Sequence, residues 1–541
     1  MPETVVKPAA DFHQTKIFSD FLAKKPALKK YFLFDDPRVV AQNLGAPKID
    51  RDFLCDILKK QNELFGAKSE TFRNIELLRD EETVTIFAGQ QSGLFGGPLL
   101  TLYKAIGIVK KAVQLQSEIG RSVVPVFWIA CDDHDFAEIN HTFMPNREGE
   151  LDKISYEPKE IPPVAIADLC FDDEAAYNRM VEQTTNSLGD TDFTALLYKR
   201  LFAAYKQDTS LVKAFARWMA DIMPDLGLIF FCPNNKDAKT ISKSFFKRLV
   251  EGHFKVKEVL QKTEESLIAD GYHIQAEKRD SAVHLFYHNP ERTPIHFEGE
   301  EFMVGEKRLG LPALLDLIDK FPERFSPDVL TRPVWQSYLF PVVAQSGGPA
   351  EIAYFGQIGK LFDLLKLVQP YIVPRPSLTL VDKRNEELLE EHDISLENLA
   401  GDVEQLINRV VGETLPEDIR DKMESFKNDL EVEYKELTRL IAESYKNLEP
   451  MAEQTYGRIA DALNRLEKKI LAEHKKENDV VRNRIYKLQA GLFPNKAFQE
   501  RSLNISYFIS KYGFELVDFI ADRLDIKTSE HQLIRLSEFT G

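Results

Sequence analysis

The sequence predicts an α/β fold built on a parallel sheet, and three observations carry that expectation. An apolar, β-branched run, Val84–Ala88, passes into a glycine-rich loop and then into a long amphipathic segment that starts at Gly96-Gly97-Pro98. A second apolar run, Val123–Ala130, breaks into Cys131-Asp132-Asp133-His134-Asp135. A third, Gly227–Cys232, follows a turn and reads as another buried strand. Short apolar runs separated by helical patterns mark parallel strands covered on both faces. In such sheets ligands bind beyond the carboxyl ends of the strands, so the polar loops there give the address of a site.

The remaining elements fall into order around this core. Residues 11–30 and 49–66 carry helical spacing (Phe53, Leu54, Ile57, Leu58, Leu64, Phe65) and are expected to precede the sheet as a helical layer. Residues 150–190 are acidic and irregular, with a strand-like segment, PVAIADLCF, inside. One apolar stripe, Phe193, Leu196, Leu197, Leu201, Phe202 and Tyr205, makes 191–222 helical, and a long helical stretch covers roughly 237–269. Between Gly271 and Phe302 short alternating runs predict a small antiparallel insertion. Helices and a second Gly-Gly-Pro loop occupy 312–367, and Tyr371–Val381 reads as extended.

From Lys383 to Leu488 glycine nearly vanishes. Ile419, Met423, Phe426, Leu430, Tyr434, Leu437 and Ile441 recur at spacings of three and four, as do Ile459, Leu463, Leu466 and Ile470 beyond Pro450. The pattern resumes at Val481, Ile485 and Leu488, after an interruption at Glu473, His474 and Glu477. Two long helices with narrow seams form an antiparallel coiled-coil hairpin. Such a hairpin buries its seam poorly alone, so a homodimer is expected; the alternative is that the hairpin folds back on its own core. The tail from Leu492 to Gly541 returns to mixed composition and should pack back on the core. The expected domains are 1–382, a core with insertions at about 150–190 and 271–310; 383–490, the coiled coil; and 491–541, the returning segment.

Composition narrows the function. A chain of 541 residues exceeds a single core. Its net charge of -16 repels a phosphate backbone and argues against nucleic-acid binding. No stretch of about 18 apolar residues suggests a membrane span. The N-terminus, MPETVVKPAADFHQTKIF, lacks a basic start followed by an apolar core, so no secretory signal is read. Cys55, Cys131, Cys170 and Cys232 lie far apart, which fits reduced thiols in a cytoplasmic protein and neither a disulfide scaffold nor a zinc ribbon.

Three loops bring chemistry to the strand ends. Loop one, Gly89-Gln90-Gln91-Ser92-Gly93 followed by Leu94-Phe95-Gly96-Gly97-Pro98, matches neither common phosphate-binding glycine motif. Proline starting a helix still suggests free N–H groups and a favourable dipole for an anion. A tight strand-to-helix turn is the plainer reading. Loop two crowds Asp132, Asp133, His134 and Asp135, with Glu138, Asn140 and His141 following. So many carboxylates together call for a cation, a Mg²⁺ ion or an amine, and His134 is a candidate base. No zinc spacing is present, and no metal ligand is assigned. Cys131 reads as a small thiol at a buried strand end. Loop three, Gln345-Ser346-Gly347-Gly348-Pro349-Ala350-Glu351, repeats the Gly-Gly-Pro helix start. Arg332 and Arg375 flank it beside prolines, as suits a fixed clamp for carboxylate or phosphate. His284 and His288 share a predicted strand face but find no third ligand, and read as hydrogen-bonded histidines.

Taken together, GQQSGLFGGPLLTLYKAI, VPVFWIACDDHDFAEINH, FSPDVLTRPVWQSYLFPVVAQSGGPAEIAYFGQ, VPRPSLTLVD and LFPNKAFQERSLNISYFISKYG resemble the blocks of the cysteine-adding BshC family of bacillithiol biosynthesis. They run in order from Val84 to Gly513. Cys131 departs from the pattern, where a small residue such as glycine is more usual. The resemblance implies a Rossmann-like parallel-sheet core related to class I aminoacyl-tRNA synthetases, with connecting-peptide-like insertions and a dimerising coiled-coil hairpin. It implies a ligase that adds L-cysteine to the amine of glucosaminyl-malate, with ATP as an expected activator of the carboxyl group. The chain lacks a His-Ile-Gly-His motif. Thr240-Ile241-Ser242-Lys243-Ser244 resembles the synthetase Lys-Met-Ser-Lys-Ser loop only without its first lysine and inside a helical run.

On the matching positions, Asp133, His134 and Asp135 are the catalytic candidates, with His134 as base. Gly89, Gln90, Gln91, Ser92 and Gly93 would line the cleft, with Asn140 and His141 beside them. Arg332 and Arg375 would face the malate carboxylates, and Gly347, Gly348 and Glu351 would close the opposite wall. Two rivals stand beside this reading: a nucleotidyltransferase or ligase for another small substrate, and a non-catalytic dimeric scaffold built on the hairpin.

Overall fold

The computed structural model describes residues 4–6, 15–45, 48–277, 279–413, 416–477 and 479–540. The chain divides into two compact units, Met1–Val381 with Phe498–Gly541, and Asp382–Ala497.

At the centre of the first unit five strands run parallel: β1 (Val84–Gln91), β2 (Val123–Ala130), β3 (Ile229–Phe231), β4 (Val342–Gly347) and β5 (Tyr371–Pro374). Their spatial order is β5-β4-β1-β2-β3. The chain steps outward from β1 to β3, then returns to the other side of β1 with β4. The order reverses between β1 and β4, and their carboxyl ends form a topological switch point.

The apolar runs become strands because both faces are covered. Ile86, Ala88, Phe127 and Ile129 enter one core, while Phe87, Val124, Val126 and Trp128 enter the other, the period-two alternation of a strand. Helix α1 (Leu99–Ile119) links β1 to β2 and stops at Gly120, whose φ of 74° is a left-handed cap that glycine adopts freely.

Two segments differ from expectation. PVAIADLCF is not a strand: Ile166–Asp168 form a short 3-10 turn, and a helix, Glu174–Leu188, follows. The N–H groups of Ile166 and Ala167 donate to the carbonyls of Asp133 and Cys131 at 2.8 and 3.2 Å, so this stretch braces loop two instead of joining a sheet. The helical stretch expected at 237–269 is three helices, Lys236–Ile241, Lys243–Glu251 and His253–Ala269. The first break falls at Ser242, whose hydroxyl bonds the carbonyl of Ala238 and accepts from Trp335 Nε1 at 2.7 Å.

The antiparallel insertion has five strands in the order 307–309, 301–304, 292–298, 282–288 and 325–327. Tyr371–Val381 divides between sheets, because Ser377–Val381 pairs in parallel with His531–Arg535 of the returning tail. Gln499 seals that junction through both the N–H and the carbonyl of Leu380. The 11–14 part of the first expected helix lies outside the described residues, and Lys16–Leu22 and Arg51–Phe65 are helical.

The second unit is helical. Its long helices, Glu417–Ser444 and Glu449–Glu477, are joined by a turn at Lys446–Leu448. The tilted rings of Tyr434 and Tyr456 meet across them with centroids 5.3 Å apart, and Lys427 pairs with Glu467 at 2.6 Å. No residue of Glu417–Ser444 is buried, and Ile419, Phe426, Leu437 and Leu466 stand exposed. Two helices cover only one side of such a seam.

Candidate active site

The switch point is held by one ammonium group. Lys104 rises from α1 with its side chain only 4% exposed. Its Nζ donates to the Gly89 carbonyl at 3.1 Å, to Gln90 Oε1 at 2.9 Å and to Glu351 Oε2 at 2.5 Å. Glu351 in turn accepts the Gly348 N–H at 2.8 Å. Loops one and three are thereby fastened together at the ends of β1 and β4. Burial pulls the Lys104 pKa below the ordinary lysine value, and Glu351 opposes that fall.

Glycine is required here by close approach. A Cβ on Gly347 would lie 2.9 Å from Glu351 Cβ and from the Phe355 ring; on Gly89 it would lie 2.9 Å from the Trp128 carbonyl oxygen. Gln91 Nε2 donates to Glu138 at 2.5 Å, which ties loop one to the segment after loop two.

The latter half of loop one corrects the anion-cradle expectation. The Leu99 N–H at the start of α1 donates to the Leu503 carbonyl at 2.8 Å, the Gly96 N–H donates to the Tyr205 hydroxyl, and Asn504 holds the carbonyls of Phe95 and Gly97. These groups are consumed by packing, so the turn is structural. Ser92 and Gly93 are buried with it; among the described residues the Ser92 hydroxyl finds no hydrogen-bond partner, and a Cβ on Gly93 would meet Gly97 Cα at 2.8 Å.

Loop two draws its counter-charges from distant helices and strands. Asp132 pairs with Lys239 at 2.9 Å, whose side chain is 1% exposed and also donates to the Phe325 carbonyl at 2.9 Å. Asp133 Oδ1 accepts the His134 N–H at 2.8 Å and stands 3.4 Å from both Arg292 Nη1 and His134 Nδ1. Arg292 lies 3.5 Å over the Phe286 ring. His134 and Asp135 are exposed. Two of the three carboxylates are thus met by protein cations, and among the described residues no cluster suited to a metal ion occurs.

His288 donates to or accepts from Ser326 Oγ at 2.7 Å, and burial pushes its pKa down to about 4, aided by Lys239 nearby. Burial raises the Asp168 carboxyl, with Asp132 adding to the rise. Cys131 and Cys232 place their sulfurs 3.2 Å apart at the ends of neighbouring strands, and burial pushes the Cys131 thiol well up, so it is no poised nucleophile. Asn140 and His141 bond each other at 3.0 Å, and Asn140 also joins Tyr156 through side chain and backbone. They anchor the chain leaving loop two.

The two arginines separate. Arg332 donates to the Tyr354 hydroxyl at 2.9 Å and to Gln336 at 3.3 Å, both neutral partners. Burial raises Tyr354 to about 12, so its phenol stays protonated. Arg332 has no carboxylate partner among the described residues. Arg375 is the opposite case, and its expected place in an open clamp is corrected: its guanidinium meets Glu500 at 2.6 Å, with both side chains buried. Glu500 also accepts from Leu378 N–H and Ser377 Oγ, each at 2.9 Å. Arg375 instead locks the loop after β5, its own N–H donating to the Gly347 carbonyl.

Lys104, Asp168, Lys239, Arg292 and Glu500 were not among the sequence candidates; Glu138 was named only as part of loop two and His288 only as a hydrogen-bonded histidine. Lys104 and Lys239 sit in helical patterns that read as solvated faces, and nothing local marks their partners.

These features define a class: a parallel-sheet enzyme fold with polar loops gathered at a switch point and a helical hairpin inserted in its chain. The model for the bacillithiol biosynthesis BshC N-terminal Rossmann-like domain matches residues 5–376, and that for the BshC C-terminal coiled-coil domain matches residues 378–536. Proteins named cysteine ligase BshC from Salinibacter ruber and Koribacter versatilis are 32% and 30% identical, over 92% and 97% of this chain and 91% and 98% of theirs. One from Bacillus cytotoxicus is 28% identical over 90% of this chain and 91% of its own. A solved structure titled arginyl-tRNA synthetase, from Campylobacter jejuni, covers 83% of this chain and 98% of its own at 9% identity with a TM-score of 0.22, too low a likeness to carry an argument. The chain belongs to the BshC family of bacillithiol biosynthesis, and it is a ligase of that family.

Proposed function

We propose that this ligase joins the carboxyl group of L-cysteine to the amine of glucosaminyl-malate, with loops one, two and three as its active centre. The observation that carries the reading is the fastening of loops one and three at the switch point by Lys104 and Glu351, with Gln91 and Glu138 tying loop one to the segment after loop two. Amide formation needs an activated carboxyl, an amine that has lost its proton, and a base to take that proton. His134, exposed beside Asp133, is the base; Asp135 attracts the incoming ammonium before its proton leaves. Arg332, balanced by no carboxylate, holds the malate carboxylates. The Gln90 amide N–H groups and the Gln91 carbonyl oxygen line the cleft between them.

ATP, when bound, would supply the carboxyl activation. The start of α1 offers it no phosphate cradle through Leu99, whose N–H is taken up by the Leu503 carbonyl, and Arg332 is given to the malate carboxylates. The reading places the protein in the cytoplasm and makes it a homodimer through the exposed seam of the hairpin. Among the described residues no helix is long and apolar enough to cross a membrane.

The test is product formation from cysteine and glucosaminyl-malate by the purified protein, followed by mass spectrometry with and without ATP. Undiminished turnover without ATP removes the activation step; absence of product under all conditions removes the substrate assignment.

A further inference from the structure

The antiparallel insertion contains a cavity of about 330 Å³ that the switch-point reading leaves unused. At about 30 Å³ for each water in the liquid, it has room for a molecule of roughly ten heavy atoms. Phe286, Pro294 and Ile295 form an apolar wall. The cavity is also lined by a buried dyad: His284 Nδ1 lies 2.9 Å from Asp328 Oδ2, with side chains 5% and 3% exposed. The other Asp328 oxygen accepts the N–H groups of Leu330 and Thr331 at 3.0 Å and the Thr331 hydroxyl at 3.1 Å. A carboxylate so fixed commits Nδ1 as a donor and leaves Nε2 as the working nitrogen of the ring.

His284 is held in an unusual backbone. Its φ of 61° lies in the left-handed region, which histidine enters at a cost. The pairing register shifts between Ala282 and Phe286, around this residue. Such irregularities re-aim side chains and gather at functional positions. Burying an apolar side chain here would need neither the irregularity nor the carboxylate.

Glu277 and Arg279 also line the cavity. Both are exposed, and neither side chain makes a hydrogen bond or ion pair among the described residues. Opposite charges, an apolar wall and an imidazole together match what a free amino acid presents.

We infer that this cavity binds a free α-amino acid as its zwitterion, with the carboxylate on Arg279, the ammonium on Glu277 and the side chain against Phe286 beside His284. Phe286 connects the cavity to loop two, since its ring carries Arg292, which reaches Asp133. The cavity is a docking place apart from the loops where the amide bond is made, so the inference goes beyond the ligase reading and rests on it only for the identity of the amino acid, cysteine.

Calorimetric titration of the full-length protein with L-cysteine tests it, with cysteamine and 3-mercaptopropionate as probes lacking one charge each. Arg279→Met removes an exposed charge; His284→Asn suits a left-handed backbone and keeps the fold in place. Binding of L-cysteine should weaken by at least about tenfold in both variants, and cysteamine and 3-mercaptopropionate should each bind the wild type more weakly than L-cysteine does. Equal L-cysteine affinity in all three proteins, or no heat of binding in the wild type, overturns the site. If the wild type forms product while both variants bind L-cysteine as tightly as it does, the site falls and the ligase reading stands. If the variants lose cysteine binding but the wild type forms no product, the ligase reading falls and the site stands.

Discussion

Lys104 Nζ and Glu351 Oε2 lie 2.5 Å apart although 247 positions separate them in the chain. Each belongs to the helix that follows a strand of the switch point, so the pair sets the spacing of the loops on β1 and β4. Lys104 is buried and Glu351 half-buried, so removing the lysine strands a partly solvated carboxylate, which costs about 2 kcal/mol. Lys104→Met should lower stability by that order in urea unfolding and lower turnover as the loops separate. Glu351→Gln leaves the buried ammonium without its counter-charge and should cost at least as much.

Arg375 and Arg332 should part company when replaced. Arg375→Met leaves the Glu500 carboxylate buried, so it should destabilise by about 3 kcal/mol, and adding Glu500→Gln should restore most of that loss. Arg332→Met removes a charge with neutral partners. It should leave the unfolding midpoint nearly unchanged and raise the KM for glucosaminyl-malate. Thermal unfolding and steady-state kinetics on the same preparations separate the two.

His288 gives a pH dependence of defined sign. Folding holds its pKa at about 4, against 6.5 for the unperturbed ring. As pH falls below 6.5 the unfolded chain takes up a proton on this ring and the folded chain does not, so stability falls between pH 6.5 and 4 and levels off below. The loss from this group alone amounts to about 3 kcal/mol. Urea unfolding of wild type and His288→Gln across that window should show the wild-type excess decline shrink in the variant.

The hairpin prediction concerns association. Phe426 and Leu437 are 50% and 47% exposed on one long helix. Replacing both with glutamate should cost the hairpin little within one chain, and should shift the protein to a monomer in light scattering if a second copy covers the seam.

Much of the fold could be read along the chain. Val84–Ala88 and Val123–Ala130 announce strands because both faces of each are apolar, and the acidic turn after Ala130 marks the strand end. The hairpin was legible from its spacing. PVAIADLCF misled, because its apolar residues are buried by packing while its N–H groups serve loop two. The site was legible only in its local parts. Lys239 reaches Asp132 across 107 positions and Arg292 reaches Asp133 across 159, and no local pattern encodes such pairings. Arg375 looked like an open clamp because Glu500, its partner, stands far along the chain.

The loops at the switch point are proposed as the place where the amide bond is made. The most direct measurement is kcat for cysteine-dependent product formation by His134→Gln beside wild type, with both unfolding midpoints recorded. Loss of a general base at an exposed position should lower kcat by about 10²–10⁴-fold with no change of midpoint. Undiminished kcat in a fully folded His134→Gln protein would contradict the assignment of loop two to the chemistry.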